Sequence, residues 1–175
     1  MDSIISFITD LSPALVFGVI FLAAFFENII PPIPGDVVVV FGAYLVGTGR
    51  VSLALAYVFV TTGSFLGFMT LFLLGYYFSD SILKSGRFKF LNSKYFKEAE
   101  KLFMKYGTKL VLANRFLSGL RSVISFISGM YKLDFKHVSL FALISCMLWN
   151  GILFFLGALI GKNQDKISNF IELYN

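Results

Sequence analysis

Three prolines within four positions interrupt a long apolar run near the start of the chain. The run extends from residue 13 to residue 45, and Pro31, Pro32 and Pro34 lie in its middle. An α-helix cannot continue through such a segment, because proline lacks the backbone N–H and disfavours a helical conformation in the residue before it. The apolar pieces on either side, residues 14–26 and 37–45, are each shorter than the about 20 residues that a transmembrane helix needs. The pattern therefore predicts two half-helices joined by a turn within the membrane, a re-entrant hairpin.

The composition places this hairpin in a membrane protein. Hydrophobic residues make up 57% of the 175 residues and charged residues only 14%, whereas a soluble domain has roughly 45–50% and about 25%. The 22 phenylalanines are also too many for the interior of so small a protein. We therefore predict an all-α integral membrane protein with a single domain over residues 1–175. The net charge of +5 does not indicate nucleic-acid binding, because the basic residues are clustered along the chain.

The residue types that common catalytic and metal sites require are scarce. The chain has one histidine, His137, and one cysteine, Cys146, so neither a metal site nor an intramolecular disulfide is expected. It also contains no recognisable Ser/His/Asp set and no Walker loop. We therefore expect no enzymatic activity, no metal and no other cofactor.

Three more apolar segments follow the first hairpin. Residues 51–78 and 138–160 are uninterrupted and long enough to span a bilayer. Trp149 lies in the middle of the second of these spans and is expected to pack against a hairpin. Residues 110–130 contain two arginines and several serines, which predicts a second re-entrant hairpin rather than a span.

Two segments are predicted to lie on the membrane surface. Residues 94–106 place aromatic residues on one helical face and lysines on the other, a pattern typical of a helix that lies on anionic headgroups. Residues 1–11 show apolar residues at helical spacing between acidic and hydroxyl residues, which predicts a short surface helix. They lack a basic stretch before the apolar residues, so a signal peptide is not expected.

The distribution of basic residues assigns the two sides of the membrane. Ten of them lie in residues 84–109 and 132–136, against three in the opposite loops, at Arg50, Lys162 and Lys166. Because loops with an excess of lysine and arginine stay in the cytoplasm, the central basic loop is predicted to be cytoplasmic and both termini external.

A short motif near the end of the first apolar run returns in the second half of the chain. At an offset of 87 residues, two tripeptides are matched: Gly-Ala-Tyr (42–44) by Gly-Met-Tyr (129–131), and Val-Ser-Leu (51–53) by Val-Ser-Leu (138–140). We predict two repeat units, about residues 1–87 and 88–175, each with a surface helix, a re-entrant hairpin and one transmembrane helix. Since each unit crosses the membrane once, the second must be inverted relative to the first, as in many transporters.

Four charged residues lie in the two breaks, Glu27 and Asp36 in the first and Arg115 and Arg121 in the second. Each would cost roughly 2.5–3.5 kcal/mol if it were unpaired at the bilayer centre. The two hairpins are therefore expected to face each other or a water-filled cavity. One interpretation is a pair of salt bridges that only lock the hairpins together. The other is a ligand site.

The residue types favour an anionic, phosphate-bearing ligand. Arg115 and Arg121 stay charged and can each donate a pair of hydrogen bonds to phosphate oxygens. Half-helices that begin after Gly35 and Gly119 would offer free backbone N–H groups at their N-termini, and Ser118 lies beside Gly119. These five residues are the candidate substrate-binding residues.

The two acids are candidates for proton and charge coupling. Glu27 and Asp36 would neutralise the arginines in the empty site, and one of them could take up a proton. Protons are therefore a second predicted partner.

These motifs resemble those of the DedA family, also known as the SNARE-associated or VTT-domain family, over nearly the whole chain. Residues 27–36 (ENIIPPIPGD) are similar to the acidic E…PxPG(D/E) segment of that family. Residues 105–107 (KYG) and 115–121 (RFLSGLR) are similar to its KYG…RFxPGxR segment, with Ser118 in place of the proline.

The resemblance implies two inverted re-entrant hairpins, each with its own span, and a role in moving lipids between leaflets. Bacterial members are associated with the recycling of undecaprenyl phosphate or the translocation of phospholipid, and eukaryotic relatives with scrambling. The resemblance further implies that the acidic pair and the arginine pair are functional residues. It also implies a location in the bacterial cytoplasmic membrane.

Together, the residues and the resemblance predict a flippase- or scramblase-like lipid translocase. Its substrate would be a phosphate-bearing lipid, such as undecaprenyl phosphate or a phospholipid, held through its headgroup by Arg115 and Arg121. Two alternatives stay open: a proton-coupled transporter of a small solute, and a membrane assembly factor that transports nothing. The sequence does not choose the lipid or the energy source, and it leaves a homo-oligomer open.

Overall fold

The computed structural model describes residues 12–30, 35–85, 94–117 and 119–162. Within them the backbone forms helices and no strand: α1 (Pro13–Ile29), α2 (Gly35–Gly47), α3 (Leu53–Ser85), α4 (Lys94–Tyr106), α5 (Lys109–Ala113), α6 (Arg121–Met130) and α7 (Phe135–Lys162). A single 3₁₀ turn, Asn114–Phe116, follows α5. The predicted all-α class is confirmed for this part of the chain. The surface helix predicted at residues 1–11 lies outside it.

The proline break separates two helices, as predicted. The Ser12 hydroxyl caps α1 by accepting the backbone N–H of Leu15 at 3.4 Å, and Pro13 occupies the first turn, where its missing N–H is tolerated. After α1, Ile30 is extended, with φ −118° and ψ 96°, as a residue before a proline must be. Helix α2 then begins at Gly35. With 17 and 13 residues, α1 and α2 are both short for a bilayer crossing.

Helices α3 and α7 are the two long elements, with 33 and 28 residues. Their segments Leu53–Ser79 and Phe135–Ile160 are long and apolar enough to cross a membrane. The spans predicted at residues 51–78 and 138–160 are thus continuous helices. Their outer faces expose many large apolar side chains, among them Val58, Leu148 and Phe155. An apolar surface of this extent is typical of a protein that contacts a membrane.

The shorter helices are distributed over the two long ones in a reciprocal manner. Helix α1 packs along α3, and α2 packs along α7. In the second half of the chain, α5 packs along α7, and α6 packs along α3. Each long helix therefore contacts one arm from each half of the chain. One buried apolar cluster joins α1, α2, α3 and α7, through Ile20, Ala24, Val39, Ala43, Ala56, Val60, Leu153 and Phe154.

Helix α6 approaches α3 closely at one glycine. A Cβ added to Gly129 would collide with the carbonyl oxygen of Phe72 and with the backbone nitrogen of Tyr76. The two backbones can therefore approach this closely only because residue 129 has no side chain. Since α6 begins at Arg121, this contact helps to fix the position of that arginine relative to α3.

The aromatic face of α4 contacts protein. Phe96, Ala99 and Phe103 are buried in a cluster with Leu120, which precedes α6, and with Val123, Ile124 and Ile127 of α6. Tyr131 adds a hydroxyl that donates to Oε1 of Glu100 at 2.7 Å, and this hydrogen bond raises the pKa of the phenol. Helix α4 ends at Tyr106 and is followed by Gly107 with φ +55°, a conformation typical of the glycine that terminates a helix. The apolar face of α4, from which a position on the membrane surface was predicted, is thus buried against α6. Contact of the lysine face with lipid headgroups stays a prediction.

Candidate functional site

Arg121 joins the two arms of the first hairpin to the second. It is the first residue of α6 and is only 8% exposed. Its Nη1 donates to Oε1 of Glu27 at 2.5 Å, and its Nη2 donates to Oδ2 of Asp36 at 3.1 Å. Glu27 lies in the last turn of α1 and Asp36 in the first turn of α2. One guanidinium therefore holds both ends of the proline break through charge-assisted hydrogen bonds.

Arg115 is more deeply buried and much less well paired. It lies in the 3₁₀ turn before α6 and is 2% exposed. Its Nη1 is 3.8 Å from Oδ1 of Asp36, which is too long for a hydrogen bond. Its Nε and Nη2 have no hydrogen-bond partner within the described part of the chain. Because an arginine side chain stays charged, these atoms form a buried cationic edge with two open donors.

Oε2 of Glu27 is also buried without a hydrogen-bond partner among the described residues. The same holds for the amide oxygens of Asn28 and Asn114, which are sequence neighbours of Glu27 and Arg115. Buried polar atoms in native proteins are almost always hydrogen-bonded to protein or ordered water. The cluster therefore has the donors and acceptors to hold a polar group or water molecules between the hairpins.

Trp149 is the site residue that sequence reasoning missed. It packs against the second hairpin, as expected, with its ring edge-on to Phe116 at 5.3 Å between centroids. In addition, its indole N–H donates to Oδ1 of Asp36 at 2.9 Å. Tryptophan in a span usually lies near the membrane interface, so the mid-span position of Trp149 was the signal that could have indicated this role.

The predicted glycines have identifiable backbone roles. A Cβ at Gly35 would lie 2.6 Å from Oε2 of Glu27 and 2.8 Å from the carbonyl oxygen of Ala23, so only glycine allows α2 to begin this close to α1. Gly119 has φ +83°, a conformation that residues with a side chain rarely adopt, and it turns the chain into α6. Ser118 lies outside the described residues.

The structure therefore brings together the four predicted charges, but in an unequal arrangement. Arg121 is hydrogen-bonded to both carboxylates, whereas Nε and Nη2 of Arg115 have no partner among the described residues. The described residues contain no group of three or more His, Cys, Asp or Glu side chains that could hold a metal ion. Two chemical roles suit these four side chains: an arginine can bind an anionic group, and a carboxylate can take up a proton.

A sequence model of the VTT domain matches residues 33–159, most of the chain. The chain belongs to the VTT-domain family, also called the DedA family. The matched region of this VTT domain includes Asp36, Arg115, Arg121 and Trp149. Glu27 precedes it, although its carboxylate is the closest ion-pair partner of Arg121.

Several bacterial proteins are similar to this VTT-domain chain. An "alkaline phosphatase-like protein" of Lactococcus lactis is 30% identical over 165 residues, which cover 91% of this chain and 77% of that protein. The "undecaprenyl phosphate transporter A" of Staphylococcus aureus is 24% identical, over 96% of this chain and 85% of that protein. The "inner membrane protein YqjA" of Escherichia coli is 26% identical, over 85% of this chain and 69% of that protein. No solved structure matches the chain significantly.

Proposed function

We propose that this protein is a membrane lipid translocase that moves a phosphate-bearing lipid between leaflets. The observation that carries the proposal is Arg115, which is 2% exposed and has two donors without a partner in the described structure. A buried, incompletely paired cation is expensive for a protein to maintain. Its retention is explained when an anionic ligand supplies the missing acceptors.

A phosphate headgroup suits the two open donors of Arg115. Phosphate oxygens accept two parallel N–H groups from one guanidinium, and here Nε and Nη2 form such a pair. Arg121 would stay bound to the two acids and would add positive charge from the side. This division of roles refines the expectation that Arg115 and Arg121 together hold the phosphate. The lipid tails would stay in the bilayer.

The two acids would set the charge of the site. Without a lipid, Glu27 and Asp36 balance the two arginines. A proton taken up by Oε2 of Glu27, which has no partner among the described residues, would remove one negative charge. The site would then be more positive and would hold a phosphate more strongly. Proton uptake at Glu27 therefore couples to lipid binding in this proposal, and the protein is a transporter rather than an enzyme.

The proposed architecture is an inverted repeat of two re-entrant hairpins, with the site where the breaks meet. The reciprocal packing supports it, because each long helix contacts one hairpin arm from each half of the chain. If the two units are related by a pseudo-two-fold axis in the membrane plane, the long helix of each unit is expected to contact an arm of the other unit. The breaks of both hairpins also meet at the ion pairs of Arg121.

The relatives support the choice of substrate and location. The name of the S. aureus protein specifies an undecaprenyl phosphate transporter, and the E. coli protein is named an inner membrane protein. We therefore place this chain in a bacterial cytoplasmic membrane, with the basic loop around α4 in the cytoplasm. Undecaprenyl phosphate is the first lipid to test and a phospholipid the second.

The test is a leaflet-translocation assay in proteoliposomes, with undecaprenyl phosphate and phosphatidylethanolamine in separate experiments. The wild type should move at least one of these lipids, and Arg115→Gln should abolish the movement. Lys101→Gln is the matched control, because it removes a positive charge from the exposed face of α4. A folded Arg115→Gln protein that translocates at the wild-type rate would contradict the proposal. Uptake of a soluble solute without lipid movement would favour the solute transporter instead.

A further inference from the structure

Trp149 is the only tryptophan in the chain, and it contacts the charged site through its polar atom. Its indole N–H donates to Oδ1 of Asp36 across 2.9 Å, from the middle of α7 to the start of α2. The ring is half-buried and contacts Phe116, the residue that follows Arg115. Trp149 therefore touches both hairpins at the point where the charges meet.

Oδ1 of Asp36 faces two donors from different elements, the Trp149 indole and the Arg115 guanidinium. Oδ2 of Asp36 accepts Nη2 of Arg121 at 3.1 Å, and Oδ1 accepts the Trp149 indole. Arg115 approaches Oδ1 only to 3.8 Å. A hydrogen bond between a guanidinium and a carboxylate is shorter and stronger than one from a neutral indole. The indole of Trp149, the weaker donor, thus binds Oδ1 of Asp36, while the guanidinium of Arg115, the stronger donor, stays outside hydrogen-bond distance.

We propose that Trp149 is a positioning residue that keeps Arg115 open. The indole N–H and Arg121 together hold the Asp36 carboxylate in an orientation that Arg115 cannot use. Nε and Nη2 of Arg115 then stay available for an anionic headgroup. This inference rests on the proposed function, because it assigns Trp149 a role in binding the phosphate of the lipid.

Loss of the indole N–H should allow Arg115 to pair with Asp36 and so make Arg115 less available to a ligand. In Trp149→Phe the ring contact with Phe116 can persist, but Oδ1 of Asp36 loses its donor. The Arg115 guanidinium then becomes the nearest donor and should pair with that oxygen. Pairing through Nη1, the atom nearest Oδ1, would draw the guanidinium towards Asp36 and offset part of its charge, so Nε and Nη2 should hold a phosphate more weakly.

The first test measures binding of undecaprenyl phosphate to the purified full-length protein in detergent. Trp149→Phe should bind roughly tenfold more weakly than the wild type, the scale of one charge-assisted hydrogen bond. Tyr57→Phe is the matched control. The Tyr57 hydroxyl donates to the Met147 carbonyl at 2.8 Å, so this substitution removes one hydrogen bond to α7 outside the charged site. Its affinity should stay within twofold of the wild type.

The second test needs no lipid. The coupling between Arg115 and Asp36 is measured as the non-additive shift in melting temperature of Arg115→Gln, Asp36→Asn and the double variant. The same three variants are then made in a protein that carries Trp149→Phe, and there the coupling should be larger by about 2 °C or more. A merely structural role of Trp149 would lower every melting temperature and leave the coupling unchanged.

The two tests separate the possible failures. Wild-type affinity in Trp149→Phe, or an unchanged coupling, overturns the positioning role. A wild type that binds neither undecaprenyl phosphate nor phosphatidylethanolamine contradicts the proposed function, and the coupling alone then decides whether Trp149 holds Arg115 apart from Asp36.

Discussion

Nη1 of Arg121 lies 2.5 Å from Oε1 of Glu27, although 94 residues separate the two positions in the chain. Both side chains are 9% exposed. Among the described residues, this is the shortest of three ion pairs that join the two hairpins, and Arg121 takes part in two of them. The relative position of the hairpins therefore depends on one guanidinium.

Removal of that guanidinium should destabilise the protein strongly. In Arg121→Met, the carboxylates of Glu27 and Asp36 stay buried without a cation, and the free energy of unfolding should fall by about 3 kcal/mol or more. Neutralisation of both acids together with Arg121→Met should recover most of that loss, because no unpaired charge is left. Thermal melts in detergent measure both effects, and a triple variant as unstable as Arg121→Met alone would contradict this account.

Arg115 should show the opposite relation between stability and activity. Its guanidinium has two buried donors without partners in the described structure, so Arg115→Met removes an unfavourable buried charge. The melting temperature should stay at the wild-type value or rise, while lipid translocation is lost. Arg115→Lys keeps the charge but not the paired donors, and should lose most of the activity as well. A marked fall in melting temperature for Arg115→Met would assign Arg115 a structural role.

Glu27 should determine the response to a proton gradient. In Glu27→Gln, an amide oxygen still accepts the hydrogen bond from Arg121, but the residue cannot ionise. Lipid binding should stay measurable, and translocation in proteoliposomes should become insensitive to an imposed pH gradient. Asp36→Asn should instead weaken translocation at every pH, because Asp36 is the shared partner of both arginines. If Glu27→Gln responds fully to the gradient, the proton is carried elsewhere.

Gly129 should tolerate no side chain. Gly129→Ala places a methyl group against the carbonyl of Phe72 on α3, and the strain should cost about 1–3 kcal/mol of unfolding free energy. Gly18→Ala is the matched control, since a Cβ at Gly18 meets no atom within 4 Å. It should be neutral or stabilising by up to about 1 kcal/mol, as expected for alanine in a helix. Equal melting temperatures of the two variants would refute the close contact of α6 with α3.

The predicted orientation can be tested by cysteine labelling in intact cells. Lys94→Cys lies in the basic segment and should be shielded from an impermeant thiol reagent, whereas Glu172→Cys should react. The native Cys146 is buried and gives little background. Reversed labelling would show that the basic segment faces the outside.

The break in the first hairpin could be predicted because proline acts locally. Pro31 and Pro34 forbid a continuous helix whatever surrounds them, and Ile30 is extended as the next residue requires. The long helices could be predicted for a similar reason, since their length and apolar character are properties of single segments. Most helix ends lie one to three residues from the predicted ones, but α3 continues to Ser85, seven residues beyond the predicted end of its span.

The unequal roles of the two arginines could not be predicted. Arg115 and Arg121 have the same chemistry and lie six positions apart, and only the folded structure shows that both acids face Arg121. The contact of Trp149 with Asp36 could not be predicted either, because the mid-span position marks the tryptophan as unusual but does not identify the partner of its indole N–H. The aromatic face of α4 illustrates a related limit, since apolar periodicity indicates burial but does not distinguish lipid from another helix.

The distance along the chain between the charged partners matters during synthesis. Glu27 and Asp36 leave the ribosome 85 to 94 residues before Arg121. At about 5–20 residues per second, they wait roughly 5–20 s for their cation. During that time an ionised acid at the bilayer centre would cost roughly 2.5–3.5 kcal/mol. Early insertion of the first hairpin is therefore expected to be favoured by protonation of the two acids, and the cost should fall once Arg121 arrives.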